Sequence, residues 1–173
     1  MKIVLQKVNS AMQILAIVRL AQEIWTQHYT PILAPNQVPY MLAKFQSLSA
    51  ITNQIEQGHF YFLIFKTDQQ KEAEEMQNPI GYLAFNIENE ICFLSKIYIL
   101  DSARGQGYGK DALHFIEEEA QKAGANSMNL TVNKFNQTAQ AAYLKFGFLN
   151  VGPIQTEIGN GYIMDDFMLV KQI

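Results

Sequence analysis

Apolar and polar positions along the chain change period at several points, and each change predicts an element boundary. Residues 2–8, KIVLQKV, alternate well enough for a first strand. Ser10 then stands as an N-cap before a stripe in which Ile14, Ile17, Val18, Ala21 and Trp25 recur at helical spacing. Pro31, Pro35 and Pro39 break that helix, and a second helical region over residues 38–58 divides into two pieces ending near Gly58. The period then shortens to that of strands: HFYFLIFK, NPIGYLAFNIE and EICFLSKIYIL, the first two separated by a long solvated turn at 66–79. Ala112, Leu113, Ile116 and Ala120 return to helical spacing until Gly124 closes the helix, and NSMNLTVN is again a strand. Asn136 caps a helix through QTAQAAYLKF that Gly147 ends, and FLNVGPIQTEI and GYIMDDFMLVKQI meet at the turn GNG. The order is that of an α/β protein with a mixed sheet.

Composition narrows the class. The chain has 173 residues, 49% hydrophobic and 17% charged, enough for one domain over residues 1–173 with a full core and too apolar for a disordered polymer. The N-terminus lacks a signal-peptide pattern, no apolar run is long enough to cross a bilayer, and the lone Cys92 cannot form an internal disulfide. The expectation is a cytoplasmic protein without membrane contact. A net charge of −3 with no basic run argues against nucleic acid and mildly favours a cationic small molecule. One cysteine and the scattered His28, His59 and His114 give no metal-ligand spacing.

The stretch SARGQGYGKDALHFIEEEA, residues 102–120, places Gly105, Gly107 and Gly109 directly before a helix. Glycine is costly to order, and bare amides ahead of a helix N-terminus form a concave nest that attracts phosphate. Arg104 stands at its mouth. The nucleoside-triphosphatase loop is excluded because Asp111 stands where that motif needs a hydroxyl, and the dinucleotide fingerprint fails on glycine spacing and on Asn133 at the end of the next strand. On spacing alone, a ligand loop and a plain turn into a helix stand level.

Two motifs separate these readings. IYILDSARGQGYGKDALHFIEEEA resembles the acetyl-CoA-binding motif of the GNAT superfamily of N-acetyltransferases, with Arg104, Gly107 and Gly109 on its pattern. LTVNKFNQTAQAAYLKFGF is similar to the following GNAT motif, through Asn136, Ala139, Tyr143, Gly147 and Phe148. The resemblance is specific over residues 80–150. It implies a GNAT-like fold: a mixed, mostly antiparallel sheet of about seven strands with a central splay, flanked by about four helices. It further implies that pantetheine lies along the backbone of Ile97, Tyr98 and Ile99 on a bulged strand, and that the amides of Arg104, Gly105, Gln106, Gly107, Tyr108, Gly109 and Lys110 hold the pyrophosphate. Asn136 contacts the cofactor or caps its helix.

The implied chemistry is direct transfer of an acetyl group from acetyl-CoA to a primary amine in a ternary complex, without a metal. The amine must arrive neutral, a backbone N–H on the bulged strand stabilises the oxyanion, and the leaving thiolate takes a proton. Tyr143 is the candidate acid; otherwise it is an amphipathic core residue with Ala139 and Phe146. Where GNAT enzymes often carry a strand glutamate as base, this chain has Ser95 and Lys96, and no base is named.

Substrate contacts in this fold come from the first helices and the last hairpin, where Trp25, Tyr29, Tyr162 and Asp166 suit a small cationic amine such as a polyamine. Asp165 and Asp166 point to opposite faces of their strand, so one of them at most lines the groove. The alternatives are a protein N-terminal or lysine acetyltransferase and a non-catalytic CoA sensor. A homodimer through the final hairpin is compatible with the sequence.

Overall fold

Ser10 starts the first helix as its position predicts. In the computed structural model, which describes residues 2–67 and 78–173, Ser10 Oγ accepts from the Gln13 amide at 3.4 Å and Gln13 Oε1 accepts from the Ser10 amide at 3.1 Å. This capping box opens α1 (Ala11–Tyr29), which follows β1 (Ile3–Lys7). The second helical region is two helices, α2 (Gln37–Phe45) and α3 (Leu48–Glu56), with Ser47 capping the latter. Pro39 corrects one expectation. It lies in the first turn of α2, where a missing N–H leaves no helical bond unmade, so it belongs to a helix rather than breaking one.

The remaining elements are β2 (Phe60–Lys66), β3 (Gly81–Glu88), β4 (Ile91–Ile99), α4 (Tyr108–Lys122), β5 (Ser127–Asn133), α5 (Gln137–Phe146), β6 (Leu149–Gly159) and β7 (Tyr162–Gln172). Most of the solvated turn expected at 66–79 lies outside the described residues. Hydrogen-bonded neighbours form a seven-stranded sheet in the order β1-β2-β3-β4-β5-β7-β6. Its β4–β5 ladder is parallel and aligns Ile91–Phe93 with Ser127–Asn129. The β1–β2, β2–β3, β5–β7 and β6–β7 pairs are antiparallel. The last hairpin turns on Asn160 and Gly161, both at positive φ (54° and 76°), the geometry that an Asn-Gly pair favours.

The chain divides into two compact units, Met1–Asn86 with Lys96–Phe115, and Ile87–Ser95 with Ile116–Ile173. In the first, α1 packs against α2 and α3, and Ile17, Ala21, Ile51, Ile64, Leu83 and Ala84 are fully buried. Leu20 and Ile24 join the buried face of α1, while Val18, expected there, is only half-buried. In the second unit Cys92, Ile116, Ala120, Met128, Leu130 and Phe148 are among the buried residues. Burial also pushes the Cys92 thiol up to about 12, which keeps it protonated and inert.

Candidate active site

The strand–loop–helix unit at residues 97–110 is built as the sequence suggested. β4 ends at Ile99, a single 3-10 turn (Asp101–Ala103) reverses the chain, and Arg104 ties the turn back to the strand. Arg104 Nε donates to the Ile99 carbonyl and Nη1 to Asp101 Oδ1, each at 3.1 Å. Gly105 and Gly107 then adopt φ of 76° and 90°, which side-chain-bearing residues rarely hold.

The consequence lies in the amides. The Arg104 N–H bonds to Asp101 O and the Lys110 and Asp111 N–H groups to Gly107 O. Among the described residues, the N–H groups of residues 105–109 between them meet no acceptor. Five successive donors thus run from the loop into the first turn of α4, the kind of N-terminal amide run that attracts anions. A β-carbon on Gly105 or Gly107 would meet no atom within 4 Å, and one on Gly109 only Ile99 Cδ1 at 3.7 Å. Gly109 thus stands inside α4 without positive φ and without crowding from the chain, although alanine there would favour the helix. The chain's own packing among the described residues does not account for it.

The sequence profile of the Acetyltransferase (GNAT) family matches residues 17–148. The chain belongs to the GNAT family. An IAA acetyltransferase of Azospirillum brasilense is 32% identical over 73 residues, 42% of this chain and 48% of that protein, so the match spans about half of the curated relative. Among solved structures, the PaiA N-acetyltransferase of Thermoplasma acidophilum in complex with coenzyme A is 20% identical, covers 100% of both chains and superposes with a TM-score of 0.79. The ribosomal-protein-S18-alanine N-acetyltransferase of Escherichia coli is 15% identical over 99% of this chain and 94% of that one, with a TM-score of 0.69. These two establish the GNAT fold.

Several of the expected site residues have surroundings that the structure describes. The Tyr98 ring lies among Trp25, Tyr29 and Tyr82, with centroids at 5.4, 6.4 and 5.4 Å, and its hydroxyl is 3.4 Å from that of Tyr29. Trp25 is 5% exposed and packs as core, so its indole offers little to a substrate. Tyr29 is half-buried and also meets His28 edge-on at 4.7 Å. Asn136 Oδ1 accepts from the Ala139 amide at 3.2 Å, so the structure assigns it the helix cap. Tyr143 is half-buried on α5, edge-on to Phe148 at 5.8 Å. Tyr162 opens β7 and is half-buried.

Strand alternation sends the acidic pair to opposite faces, and the two carboxylates have different surroundings. Asp165 pairs with Lys134 and accepts from Gln155 at 3.3 Å. Asp166 is 4% exposed and stands opposite Asn133. Burial raises its carboxyl pKa, while hydrogen bonding from Thr131 and Asn133 acts in the other direction.

Several features escaped the sequence. Lys96 is 9% exposed, its Nζ donating to Gln54 Oε1 at 2.7 Å and lying 5.1 Å over the Tyr61 ring. Burial lowers its pKa to about 8. His28 joins Glu23, Gln27, Asp101, Ser102 and Arg104 around a cleft of about 550 Å³. Burial, then Arg104, lower the His28 pKa against the opposing pull of Asp101. Helical spacing could have marked Glu23 and Gln27 as one face, but nothing local joins them to the 101–104 turn. Among the described residues no group of His, Cys, Asp and Glu is placed to hold a metal ion.

Proposed function

We propose that residues 1–173 act as one acetyl-CoA-dependent N-acetyltransferase domain whose acceptor is the primary amine of a small cationic molecule. The observation carrying this reading is the run of bare amides at residues 105–109 in a chain of the GNAT family. The nest takes the pyrophosphate of the coenzyme. Arg104 keeps the loop in place through Ile99 and Asp101 and still has donors to turn outward. The backbone of Ile97, Tyr98 and Ile99 holds the pantetheine arm, and Tyr143 gives a proton to the departing thiolate. A GNAT-fold neighbour crystallised with coenzyme A supports the choice of co-substrate. Pairing of two copies through the final hairpin belongs to the same reading, because Leu149, Val151 and Ile163 are 70%, 61% and 49% exposed there.

The test is release of free coenzyme A thiol from acetyl-CoA across a panel of primary amines. The expected result is thiol release that requires an amine and yields the N-acetyl product. A panel in which no amine raises release above acetyl-CoA with protein alone overturns the proposal.

A further inference from the structure

The cleft of about 550 Å³ brings Glu23, Gln27 and His28 of α1 together with Asp101, Ser102 and Arg104 of the turn before the amide run. All six belong to the first compact unit, as do Ile97–Ile99 and residues 105–109. Asp101 is bonded to Arg104 at 3.1 Å, whereas the Glu23 carboxylate has no ion pair among the described residues. Glu23 thus leaves the cleft net negative, and a cation is favoured there. His28 Nε2 is buried without a hydrogen-bond partner. The cleft also adjoins the path proposed for the coenzyme. Ser102 and Arg104 lead directly into residues 105–109, and His28 meets Tyr29 edge-on at 4.7 Å. The Tyr29 hydroxyl is in turn 3.4 Å from that of Tyr98, on the strand proposed to hold the pantetheine arm.

An alkylamine is a cation near neutral pH and must lose a proton before its lone pair can attack a thioester. The group that takes this proton must itself be unprotonated. Burial, then Arg104, favour the neutral imidazole of His28 against the pull of Asp101, and Glu23 is the other charged group lining the cleft. Other nitrogens fit less well. Lys96 Nζ donates to Gln54 and stays a cation up to about 8. His59 also has a buried unpartnered nitrogen, but the Lys96 cation acts on it and would repel an ammonium. We propose that the acceptor amine enters this cleft as an ammonium drawn by Glu23, and that His28 Nε2 takes its proton. The N–H bond breaks and leaves its electron pair on nitrogen, and that pair forms the C–N bond to the acetyl carbon. The C–S bond breaks with its electrons going to sulfur, and the second proton lost by nitrogen balances the one the thiolate gains. The proton on His28 then passes to water through the cleft. This inference rests on the acetyltransferase reading for its reaction, but its binding part can be measured separately.

The experiment follows the imidazole NMR signals of the full chain, with coenzyme A present, while n-butylamine is added. Acetylation of n-butylamine is measured beside that of trifluoroethylamine, whose fluorines leave its amine neutral near neutral pH and in no need of a base. n-Butylamine should shift the His28 signals and leave those of His114 in place. His28→Gln should lower kcat for n-butylamine roughly 100-fold and for trifluoroethylamine no more than about threefold, with KM for acetyl-CoA nearly constant. Added imidazole should restore part of the activity of His28→Ala. Equal losses with the two amines, or no loss with either, overturn the role of His28 and leave the enzyme standing. Unmoved His28 signals overturn the cleft as the entry of the amine. A His28 shift without acetyl transfer to either amine keeps the cleft as an amine site but sinks the enzymatic reading, and the role of His28 as base with it. Should the His28 variants fail to fold, Glu23→Gln, which removes the net charge of the cleft, must raise KM for n-butylamine for the proposal to hold.

Discussion

Gly81 and Tyr98 stand so close that a β-carbon on Gly81 would lie 2.2 Å from the Tyr98 carbonyl oxygen and 3.0 Å from Ile99 Cα. The contact is backbone on both sides, so no side-chain rotation relieves it. It also fixes the strand end that is proposed to hold the pantetheine arm, where Leu100 donates to Ile80 O at 2.9 Å. Gly81→Ala should destabilise the protein by about 3 kcal/mol, the upper range for overpacking, and weaken acetyl-CoA binding. Urea unfolding with a ligand titration measures both. A loss below about 0.5 kcal/mol, the scale of an innocuous surface change, would mean that the strands part freely.

Gly109 predicts the opposite pattern. With open space around it and ordinary φ, Gly109→Ala should stabilise the free protein by up to about 1 kcal/mol while weakening acetyl-CoA binding. A thermal melt with and without acetyl-CoA separates the two effects: a higher Tm alone and a smaller ligand-induced shift. An undiminished shift would place the phosphates elsewhere.

Tyr143→Phe preserves the ring that packs edge-on against Phe148, so the fold should tolerate it. Loss of the hydroxyl should lower kcat roughly 100-fold, the scale of acid–base assistance, with KM for acetyl-CoA nearly constant. Steady-state kinetics decide this. An unaltered kcat would return Tyr143 to a packing role.

Lys96 should make stability depend on pH. Burial lowers its pKa from 10.5 to about 8, and among the described residues no carboxylate offsets the cost. Between those values the unfolded chain holds a proton that the folded one has released, so this group's contribution to stability rises with pH across the window. At pH 7 the buried ammonium costs about 3 kcal/mol. Lys96→Met should therefore stabilise the protein near neutrality, with the advantage fading toward pH 10. Gln54 keeps a donor throughout, since the Tyr61 hydroxyl also bonds its Oε1 at 2.7 Å. Denaturation of both proteins at several pH values gives the difference, and a gap independent of pH would contradict the assignment.

Element order was legible from sequence wherever the signal was local. The Ser10 cap, the split of the second helical region, the glycine nest and the Asn160–Gly161 hairpin each depend on residues a few positions apart, where steric limits and unpaired amides act directly. The motif residues Arg104, Gly107 and Gly109 belong to the same class, since one turn and one helix start contain them.

Tertiary structure alone decided which neighbours those elements meet. Periodicity sets the face on which a residue lies but names no partner across it. Lys96 bonds Gln54, 42 positions away, and Tyr82 bonds Gln46, 36 away. The same holds for the acidic pair. Alternation sent Asp165 and Asp166 to opposite faces, but only the register of β7 on β5 gave Asp165 a lysine and left Asp166 buried with an unpaired oxygen. Local rules dictate backbone shape because they act within a turn or two of chain, while desolvation and pairing depend on groups that only long-range closure brings together.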